Sequence, residues 1–320
     1  MQILDETRVT DFISCLRQDA NPRTPQFVAY FLSAREDVYT WRTIPTCMDT
    51  TLNNLQIAIA LSMRLLEPLI STNNGSSINS PCIYNCPACN QNSIALVERE
   101  KVAVTSDIDP YGYHTFRCSK FGMQLRTKLV HDVMVSIWVR ALKHAGFIVT
   151  TEPRGHFDHS DKRPDACWEF EGHFVYVDFR TCDPLIKSNV FRAGDCPGFA
   201  NSQGQIEKDS RWYEMIHSRG DEFIPLCQEY PGMMGDSSVG LLNNAASRFS
   251  SNARQQMVFK EFWLPRLHMA FIRGTADMIL KSLPTPCFTT GSSGIADTNL
   301  LLQTESMSFL SARAQGNICA

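Results

Sequence analysis

Two groups of residues in this chain have the types and spacing of metal sites. The first group contains cysteine and histidine: Cys86 and Cys89 lie in a Cys-Pro-Ala-Cys segment, and His114 and Cys118 follow, separated by three residues. Four such thiolate and imidazole ligands suit a tetrahedral structural Zn²⁺. The spacing therefore predicts a zinc site, in which Cys82 could replace one ligand. The alternative is a Cys-x-x-Cys pair in a core beside an unrelated histidine.

The second group combines two aspartates with basic side chains. Asp165 ends an Arg-Pro-Asp triplet, and Asp178 begins an Asp-Phe-Arg triplet within a predicted strand, residues 173–180. Another strand is predicted at residues 167–170, and the Glu-Gly turn between the two predicts antiparallel pairing. Because side chains alternate along a strand, Asp178 and Arg180 are expected on one face.

Two convergent carboxylates form a hard-oxygen site of the kind that binds Mg²⁺ or Mn²⁺. A divalent cation held by Asp165 and Asp178 can stabilise the charge that grows on a phosphate during hydrolysis of a phosphodiester. The residues alone leave an alternative open, in which Asp178 and Arg180 form a structural salt bridge and Asp165 is only a turn residue.

Helices and a further strand are predicted around these motifs from apolar periodicity and end signals. The predicted elements are a largely helical region 1–80 with a helix start at Asn53-Asn54, a helix over Gln124–Ala145 followed by Gly146, a short strand over Phe147–Thr151, a helix over Gln205–His217, and a helix over Asn252–Leu283 that Pro265 kinks or splits. The apolar stripe of the second helix is predicted from Leu125, Leu129, Val133 and Ile137, widened by Met134, Trp138 and Ala141.

The composition is that of an ordinary globular chain of 320 residues, with 43% hydrophobic and 20% charged residues. The formal net charge of −3 excludes a global basic field, so nucleic-acid binding must depend on local positive patches. Twelve cysteines with no signal-peptide pattern in the first residues predict a reducing, intracellular compartment. The longest apolar run, Leu55 to Leu66, is interrupted by polar residues, so no membrane-spanning helix is expected.

The order of the motifs resembles the C-terminal region of reverse-transcriptase-like proteins from non-LTR retrotransposons. In that family a zinc knuckle precedes a restriction-endonuclease-like domain of the PD-(D/E)xK type. The likeness covers roughly residues 30–283, and the chain has no Tyr/Phe-x-Asp-Asp polymerase segment. The segments that carry the likeness are Cys86–Cys89, Gly112–Cys118, Val130–Asp132, Glu152-Pro153, Arg163–Asp165, Val177-Asp178, Glu207–Tyr213 and Phe223–Leu226.

The resemblance implies roles for the residues that match. Asp165 and Asp178 would hold the catalytic cation, and Arg180 stands where the simplest form of the motif has lysine. Arginine does not replace lysine directly, because its guanidinium stays protonated and holds phosphate differently. Lys208, in the following predicted helix, would then supply the missing ammonium.

Other implied roles have alternatives. Asp132 would be a third acidic residue of the site, or it caps the helix or pairs with a neighbour. His131 and Arg163 would contact nucleic acid, although His131 is equally explained as orienting the site or as a packed helix histidine. Glu229 matches an acidic position of the family, and an exposed loop carboxylate is its alternative.

These inferences predict an α/β protein whose restriction-endonuclease-like mixed sheet is flanked by helices. The predicted organisation is a helical region 1–80, a zinc-knuckle module 81–122, a restriction-endonuclease-like domain 123–283 and a flexible tail 284–320. The predicted function is nicking of DNA, with RNA as a further possible partner, by a nuclear enzyme that uses structural Zn²⁺ and catalytic Mg²⁺ or Mn²⁺. The alternatives are a catalytically inactive zinc-stabilised nucleic-acid-binding module and a helical interaction protein.

Overall fold

The structure, a computed structural model, describes residues 48–65, 84–85, 107–108, 115–116, 118, 124–157, 162–186, 188–230 and 232–282. The predicted zinc ligands Cys86, Cys89 and His114 lie outside the described residues, as does the predicted tail from 284 onward. Cys118, the remaining predicted ligand, is described and is buried. Two short strands in this region, β1 (Tyr84–Asn85) and β2 (Asp107–Ile108), pair antiparallel.

The first described helix, α1 (Asn54–Leu65), begins where the sequence predicts. The side-chain oxygen of Asn53 accepts a hydrogen bond from the backbone N–H of Gln56, and the Gln56 side chain accepts one from the Asn53 N–H, both at 2.9 Å. This reciprocal capping box satisfies two donors that a helix start leaves unpaired.

A four-stranded mixed sheet forms the centre of the described fold. Its strands are β3 (Thr150–Thr151), β4 (Ala166–Phe170), β5 (His173–Cys182) and β6 (Glu222–Glu229), and they lie side by side in chain order. The first three pair antiparallel, and β6 pairs parallel to β5. The predicted turn between β4 and β5 is confirmed: Glu171 and Gly172 both have positive φ, +50° and +84°, as in the two-residue turns that suit a hairpin.

Within the described residues, five helices accompany the sheet. They are α2 (Asp132–His144), α3 (Val190–Asp195), α4 (Phe199–Ile216), α5 (Asp236–Phe249) and α6 (Ala253–Ser282). The helix α4 crosses between the parallel strands β5 and β6, and its Trp212 and Ile216 pack with Tyr176 of β5 and Phe223 of β6. Adjacent side chains Tyr176 and Val177 point to opposite faces and are both buried, so β5 is covered on both sides. The prediction of a mixed sheet flanked by helices is confirmed.

The segment before α2 corrects one prediction. Residues Arg126–His131 form a π-helical segment that runs directly into α2. Each π turn holds an extra residue, so the buried face advances relative to a regular helix. Val130 and Met134 are therefore fully buried, whereas Val133, which the predicted stripe includes, is exposed. The predicted positions Ile137, Trp138 and Ala141 are buried as expected.

The last described helix, α6, continues through Pro265 as one element of 30 residues. Pro265 therefore does not split it. Its buried face packs on α2, α5 and the π-helical segment. Among the described residues, the structure contains no helix long and apolar enough to cross a membrane.

Candidate metal centre

The hairpin of β4 and β5 brings two aspartates together. Ala166 pairs with Val177, so extending the register by one residue places Asp165 opposite Asp178. Directly opposite residues point to the same face of a sheet, with their Cβ atoms about 4.5–5.5 Å apart. Oδ2 of Asp165 accepts a hydrogen bond of 2.5 Å from the backbone N–H of Phe179, which fixes this carboxylate against β5.

His131 joins the two aspartates. One ligand atom each from His131, Asp165 and Asp178 lies within 4.8 Å of the other two. Nε2 of His131 is 3.3 Å from Oδ2 of Asp165, and its Nδ1 is 3.2 Å from Oδ1 of Asp132. The site therefore joins the end of the π-helical segment to two neighbouring strands, and Asp132 contacts it only through His131.

Two donors from α4 converge on Asp178. Its Oδ2 accepts a hydrogen bond of 2.5 Å from Nζ of Lys208 and one of 2.8 Å from the indole Nε1 of Trp212. Residues four apart lie on one face of a helix, so α4 presents both donors to the same oxygen. Asp178 and Lys208 are largely buried, with side chains 9% and 13% exposed. The predicted ammonium of Lys208 is thus adjacent to the predicted cation ligand.

The close approach of α4 to the sheet depends on Gly204, one helical turn before Lys208. A Cβ at this position would lie 2.5 Å from Sγ of Cys182 and 3.2 Å from Sγ of Cys227. No side chain fits in this space without moving the helix or the two cysteines. Gly204 therefore allows Lys208 and Trp212 to reach Asp178.

The electrostatic environment shifts the pKa values of the two carboxyl groups in opposite directions. Burial raises the pKa of Asp178, and the charge of Asp165 adds to the rise, which Lys208 and Trp212 only partly offset. Burial also acts to raise the pKa of Asp165, but hydrogen bonds and charge from His131 outweigh it, helped by the Phe179 N–H, so this pKa is lowered. A proton taken up by the pair therefore goes to Asp178 before Asp165.

His131 carries the complementary shift. Burial acts to lower its pKa, but hydrogen bonds and charge from Asp165 and then Asp132 outweigh burial, and the pKa lies above the ordinary value of 6.5. Protons therefore compete with a cation for His131 and for Asp178. Lys208 adds a positive charge where the carboxylates converge.

Arg180 pairs with Glu207 and not with Asp178, the partner that the structural alternative predicted. Its Nη1 is 2.5 Å from Oε2 of Glu207 on α4, and both side chains are well exposed. Asp178 instead pairs with Lys208. The alternative of an Asp178–Arg180 salt bridge is therefore replaced by two separate pairs, each joining β5 to α4.

Glu229 corrects another alternative. It lies at the end of β6 and is fully buried, so it is not an exposed loop carboxylate. Its Oε1 accepts a hydrogen bond of 2.8 Å from the backbone N–H of Asn201, in the first turn of α4. A carboxylate at the N-terminus of a helix accepts a hydrogen bond from an otherwise unpaired backbone N–H and interacts favourably with the helix dipole. Glu229 therefore helps to fix the helix that carries Lys208.

Sequence reasoning gave no role to Trp212 or Gly204. The signal for Trp212 was its position four residues after Lys208. In the helix predicted there, this spacing places both side chains on one face. For Gly204 the signal was weak, because a glycine within a helical segment shows its packing reason only when the opposing strand is known.

A basic cleft is formed by residues that precede Asp165 in the chain. It has a volume of about 310 Å³ and is lined by residues 153–157 with Lys162 and Arg163, which include Arg154 and His156. Nδ1 of His156 is 3.0 Å from the hydroxyl of Tyr176, and Nη1 of Arg163 is 3.8 Å from Oε2 of Glu152. Three basic side chains close to Asp165 in the chain provide a local positive patch despite the negative net charge.

The donor set of the centre fits a divalent cation. Two carboxylates and one imidazole provide three ligand atoms, and ligands of one ion lie roughly 2.0–2.6 Å from it, hence up to about 5 Å from each other. The observed 4.8 Å limit is compatible with this geometry. Buried, converging carboxylates are otherwise costly, which favours a role in binding positive charge.

Comparison with protein-family models gave no match to this chain, and comparison with curated protein sequences gave none either. The functional interpretation therefore depends on the chemistry of the centre and on the order of the sequence motifs.

Proposed function

We propose that this chain is a divalent-cation-dependent endonuclease that nicks DNA and that it derives from, or forms part of, a non-LTR retroelement. The observation that carries the proposal is the convergence of Asp165, Asp178 and His131 beside the ammonium of Lys208. Carboxylates that hold a cation next to a lysine are suited to phosphoryl chemistry, in which charge on the phosphate must be stabilised. A nuclear compartment suits such a protein.

The order of elements supports a restriction-endonuclease-like fold. The helix α2 is followed by the antiparallel strands β3, β4 and β5, then by α4 and the parallel strand β6. This arrangement agrees with the mixed sheet flanked by helices that the motif resemblance implies. The acidic residue of the Arg-Pro-Asp triplet directly precedes β4, and the strand aspartate lies on the neighbouring β5, as a site shared between them requires.

Each side chain has a role in the proposed hydrolysis. Asp165 and Asp178 bind the cation, which when bound stabilises the negative charge that develops on the phosphate oxygens. Lys208 contributes a second positive charge from the helix side. Trp212 fixes the orientation of Asp178, because its indole N–H donates to the same oxygen as Lys208. A water molecule attacks the phosphorus and loses a proton to solvent, and the bond to the leaving oxygen breaks as that oxygen takes up a proton from solvent.

Lys208 also addresses the departure of Arg180 from the family motif. Arg180 is paired with Glu207, whereas Lys208 reaches Asp178. A lysine ammonium acts as a compact point charge. Gly204, four residues before Lys208, lets the helix hold this charge close to the sheet. In the proposed enzyme Lys208 thus supplies the ammonium, and the more exposed Arg180 assists it.

A plasmid-nicking assay tests the proposal. The purified chain is incubated with supercoiled plasmid and Mg²⁺ or Mn²⁺, and conversion to open circles is measured over time. Wild-type protein is expected to nick, and Asp165→Asn or Asp178→Asn is expected to lose at least about 100-fold in rate. The matched control is Asp209→Asn, an aspartate on the same helix as Lys208 that pairs with His217 instead. Equal nicking by wild type and Asp178→Asn would exclude the proposed site.

The basic cleft favours a second candidate function, a nucleic-acid-binding module without catalysis. Its side chains Arg154, Lys162 and Arg163 can bind phosphate whether or not the candidate metal centre is active. This candidate predicts salt-sensitive binding of DNA or RNA with no cation-dependent nicking. Measuring both properties on the same preparation separates the two functions.

A zinc knuckle formed by Cys86, Cys89, His114 and Cys118 remains part of the proposal. Such a module would hold the substrate while the candidate metal centre cuts it. The test is the zinc content of the purified chain, measured by elemental analysis. About one zinc per chain is expected, with loss in Cys86→Ser and Cys89→Ser. Unchanged zinc content in both variants would rule out this ligand set.

A further inference from the structure

The position of His131 distinguishes this centre from a site made of oxygen ligands alone. Nε2 of His131 lies 3.3 Å from Oδ2 of Asp165, and all three residues offer ligand atoms within the same 4.8 Å limit. Asp178 and Asp165 have side chains 9% and 16% exposed, and His131 is 29% exposed. The imidazole thus sits at the more open side of a largely buried pair of carboxylates.

Asp132 orients this imidazole. Its Oδ1 is 3.2 Å from Nδ1 of His131, while its own side chain is 60% exposed. A carboxylate that accepts a hydrogen bond from Nδ1–H favours the tautomer whose Nε2 has a free lone pair, as in carboxylate–histidine–metal arrangements. Nε2 is also the nitrogen of His131 that lies near Asp165. Asp132 is therefore a positioning residue and not a ligand.

The backbone around His131 is held by a contact with α6. A Cβ at Gly274 would overlap the carbonyl oxygen of Leu129 and lie 3.2 Å from Cα of Val130. The π-helical segment therefore packs directly on the α6 backbone, and it ends at His131. π turns are often found at functional sites, where they redirect a side chain from the path of a regular helix.

The nature of the ligands decides which cation is favoured. Mg²⁺ is small and hard and prefers oxygen ligands in near-octahedral geometry. Imidazole nitrogen is a better ligand for first-row transition-metal ions, which also accept carboxylates. A centre with two carboxylates and one imidazole therefore discriminates against Mg²⁺ relative to the same site with oxygen ligands only.

We infer that His131 is the third ligand of the cation held by Asp165 and Asp178, and that its imidazole makes the centre prefer a first-row transition-metal ion such as Mn²⁺ to Mg²⁺. The inference rests on the cation binding of the proposed function but not on nuclease activity. It assigns Asp132 the role of holding the imidazole. His131 thus binds the cation, and Asp132 orients His131.

Binding of Mn²⁺ to the full chain tests this without any cleavage. Electron paramagnetic resonance of free Mn²⁺ gives its dissociation constant, and competition gives that of Mg²⁺. Pulsed resonance on bound Mn²⁺ reports whether a nitrogen atom is coordinated. The variants are His131→Gln and Asp132→Ala, and the matched control is His217→Gln, whose histidine has similar exposure and pairs with Asp209 outside the centre. Thermal melts show that each variant is folded.

The wild type is expected to show nitrogen coupling, and His131→Gln to lose it. The preference for Mn²⁺ over Mg²⁺ should fall at least about tenfold in His131→Gln and stay unchanged in His217→Gln. Asp132→Ala should weaken Mn²⁺ binding but keep the nitrogen signal. Because Asp132 is well exposed, this variant also tests the site if His131→Gln does not fold.

Three results would overturn the inference: bound Mn²⁺ with no nitrogen coupling in the wild type, coupling that persists in folded His131→Gln, or no Mn²⁺ binding at all. Nicking with Mg²⁺ and no nitrogen coupling would leave the proposed endonuclease standing and remove the role of His131. Nitrogen coupling that depends on His131 in a protein that does not nick DNA would do the reverse.

Discussion

Nζ of Lys208 and Oδ2 of Asp178 lie 2.5 Å apart, and the contact joins a helix to the preceding strand through residues 30 positions apart in the chain. Both side chains are nearly buried. A buried ion pair is not by itself a strong source of stability, because two charges must lose their water. Here the pair stands where a second carboxylate and an imidazole also converge, so its position is better explained by the chemistry of the centre.

Replacing Lys208 by methionine is expected to destabilise the protein in a pH-dependent way. The substitution leaves Asp178 buried without an ammonium, which costs on the order of 3 kcal/mol when the carboxylate is ionised. At acidic pH the cost is smaller, because the raised pKa of Asp178 lets it take up a proton instead. Urea unfolding at about pH 5 and about pH 8 measures the difference.

The control for this variant is Arg180→Met, which breaks the exposed pair with Glu207. Exposed pairs contribute little, so the free energy of unfolding should change by less than about 1 kcal/mol at either pH. In the nicking assay Lys208→Met should lose about 100-fold to 1000-fold in rate, the range expected when a charge-stabilising donor is removed. A stability loss that is the same at both pH values would contradict the assigned partner of Asp178.

The cation-free protein is predicted to lose stability as the pH rises above 6.5. The pKa of His131 is raised, so the folded state binds this proton more tightly than the unfolded chain. Its stabilisation is fully present below 6.5 and is lost as the pH rises through the folded-state pKa. The raised pKa of Asp178 acts in the same direction from 3.8 upward, whereas the contribution of Asp165, whose pKa is lowered, is retained above 3.8.

Thermal unfolding in the presence of a chelator, at about pH 6 and about pH 8.5, measures this effect. His131→Gln should show a smaller decrease in Tm than the wild type, and His217→Gln should show the wild-type decrease. Saturating Mn²⁺ should reverse the trend, because a cation competes with protons for the same ligands. A wild-type Tm that rises with pH in the chelator would show that His131 is not held by Asp165 and Asp132 as described.

The hairpin and its two aspartates were predictable because their signals are local. The Glu-Gly turn and the alternation of residues 173–180 define the strand pairing, and the pairing places Asp165 opposite Asp178. The capping box at Asn53 was also predictable, since it needs only residues three apart. These parts of the fold depend on short-range geometry that a sequence displays directly.

The π-helical segment was not predicted, for a physical reason. Residues 124–137 have apolar residues at a spacing that suits a regular helix, and nothing local indicates an extra residue per turn. The turn is seen only together with Gly274, which lies far along the chain and packs on Leu129 and Val130. Long-range packing of this kind sets the helical phase of α2 and so places His131, rather than Asp132, beside Asp165 and Asp178.

Gly274→Ala is predicted to be destabilising and to weaken cation binding. The added Cβ overlaps the backbone at Leu129, and backbone cannot yield as the end of a side chain can. Overpacking of this kind costs about 1–3 kcal/mol. Because the displaced segment ends at His131, the affinity for Mn²⁺ should fall as well. Urea unfolding and Mn²⁺ titration measure the two effects.

The matched control for that variant is Gly240→Ala in α5. A Cβ at Gly240 has no atom within 4 Å apart from its own helix and chain neighbours. Alanine is the better helix former, so this variant should be more stable by about 0.5–1 kcal/mol, with unchanged Mn²⁺ affinity. If the two glycine variants behave alike, the contact between α6 and the π-helical segment does not position the centre.

The basic cleft is predicted to set the salt dependence of nucleic-acid binding. Arg154 and Arg163 line it, and each phosphate that such a side chain neutralises releases counterions from the nucleic acid. The double variant Arg154→Ala, Arg163→Ala should therefore bind DNA of any sequence more weakly. The slope of log affinity against log salt should become shallower by about 2. The control is Arg254→Ala with Lys281→Ala, two exposed basic residues near opposite ends of α6, which should leave the slope unchanged. Fluorescence anisotropy over a series of salt concentrations measures both slopes, and equal slopes for the two double variants would place the phosphate contacts elsewhere.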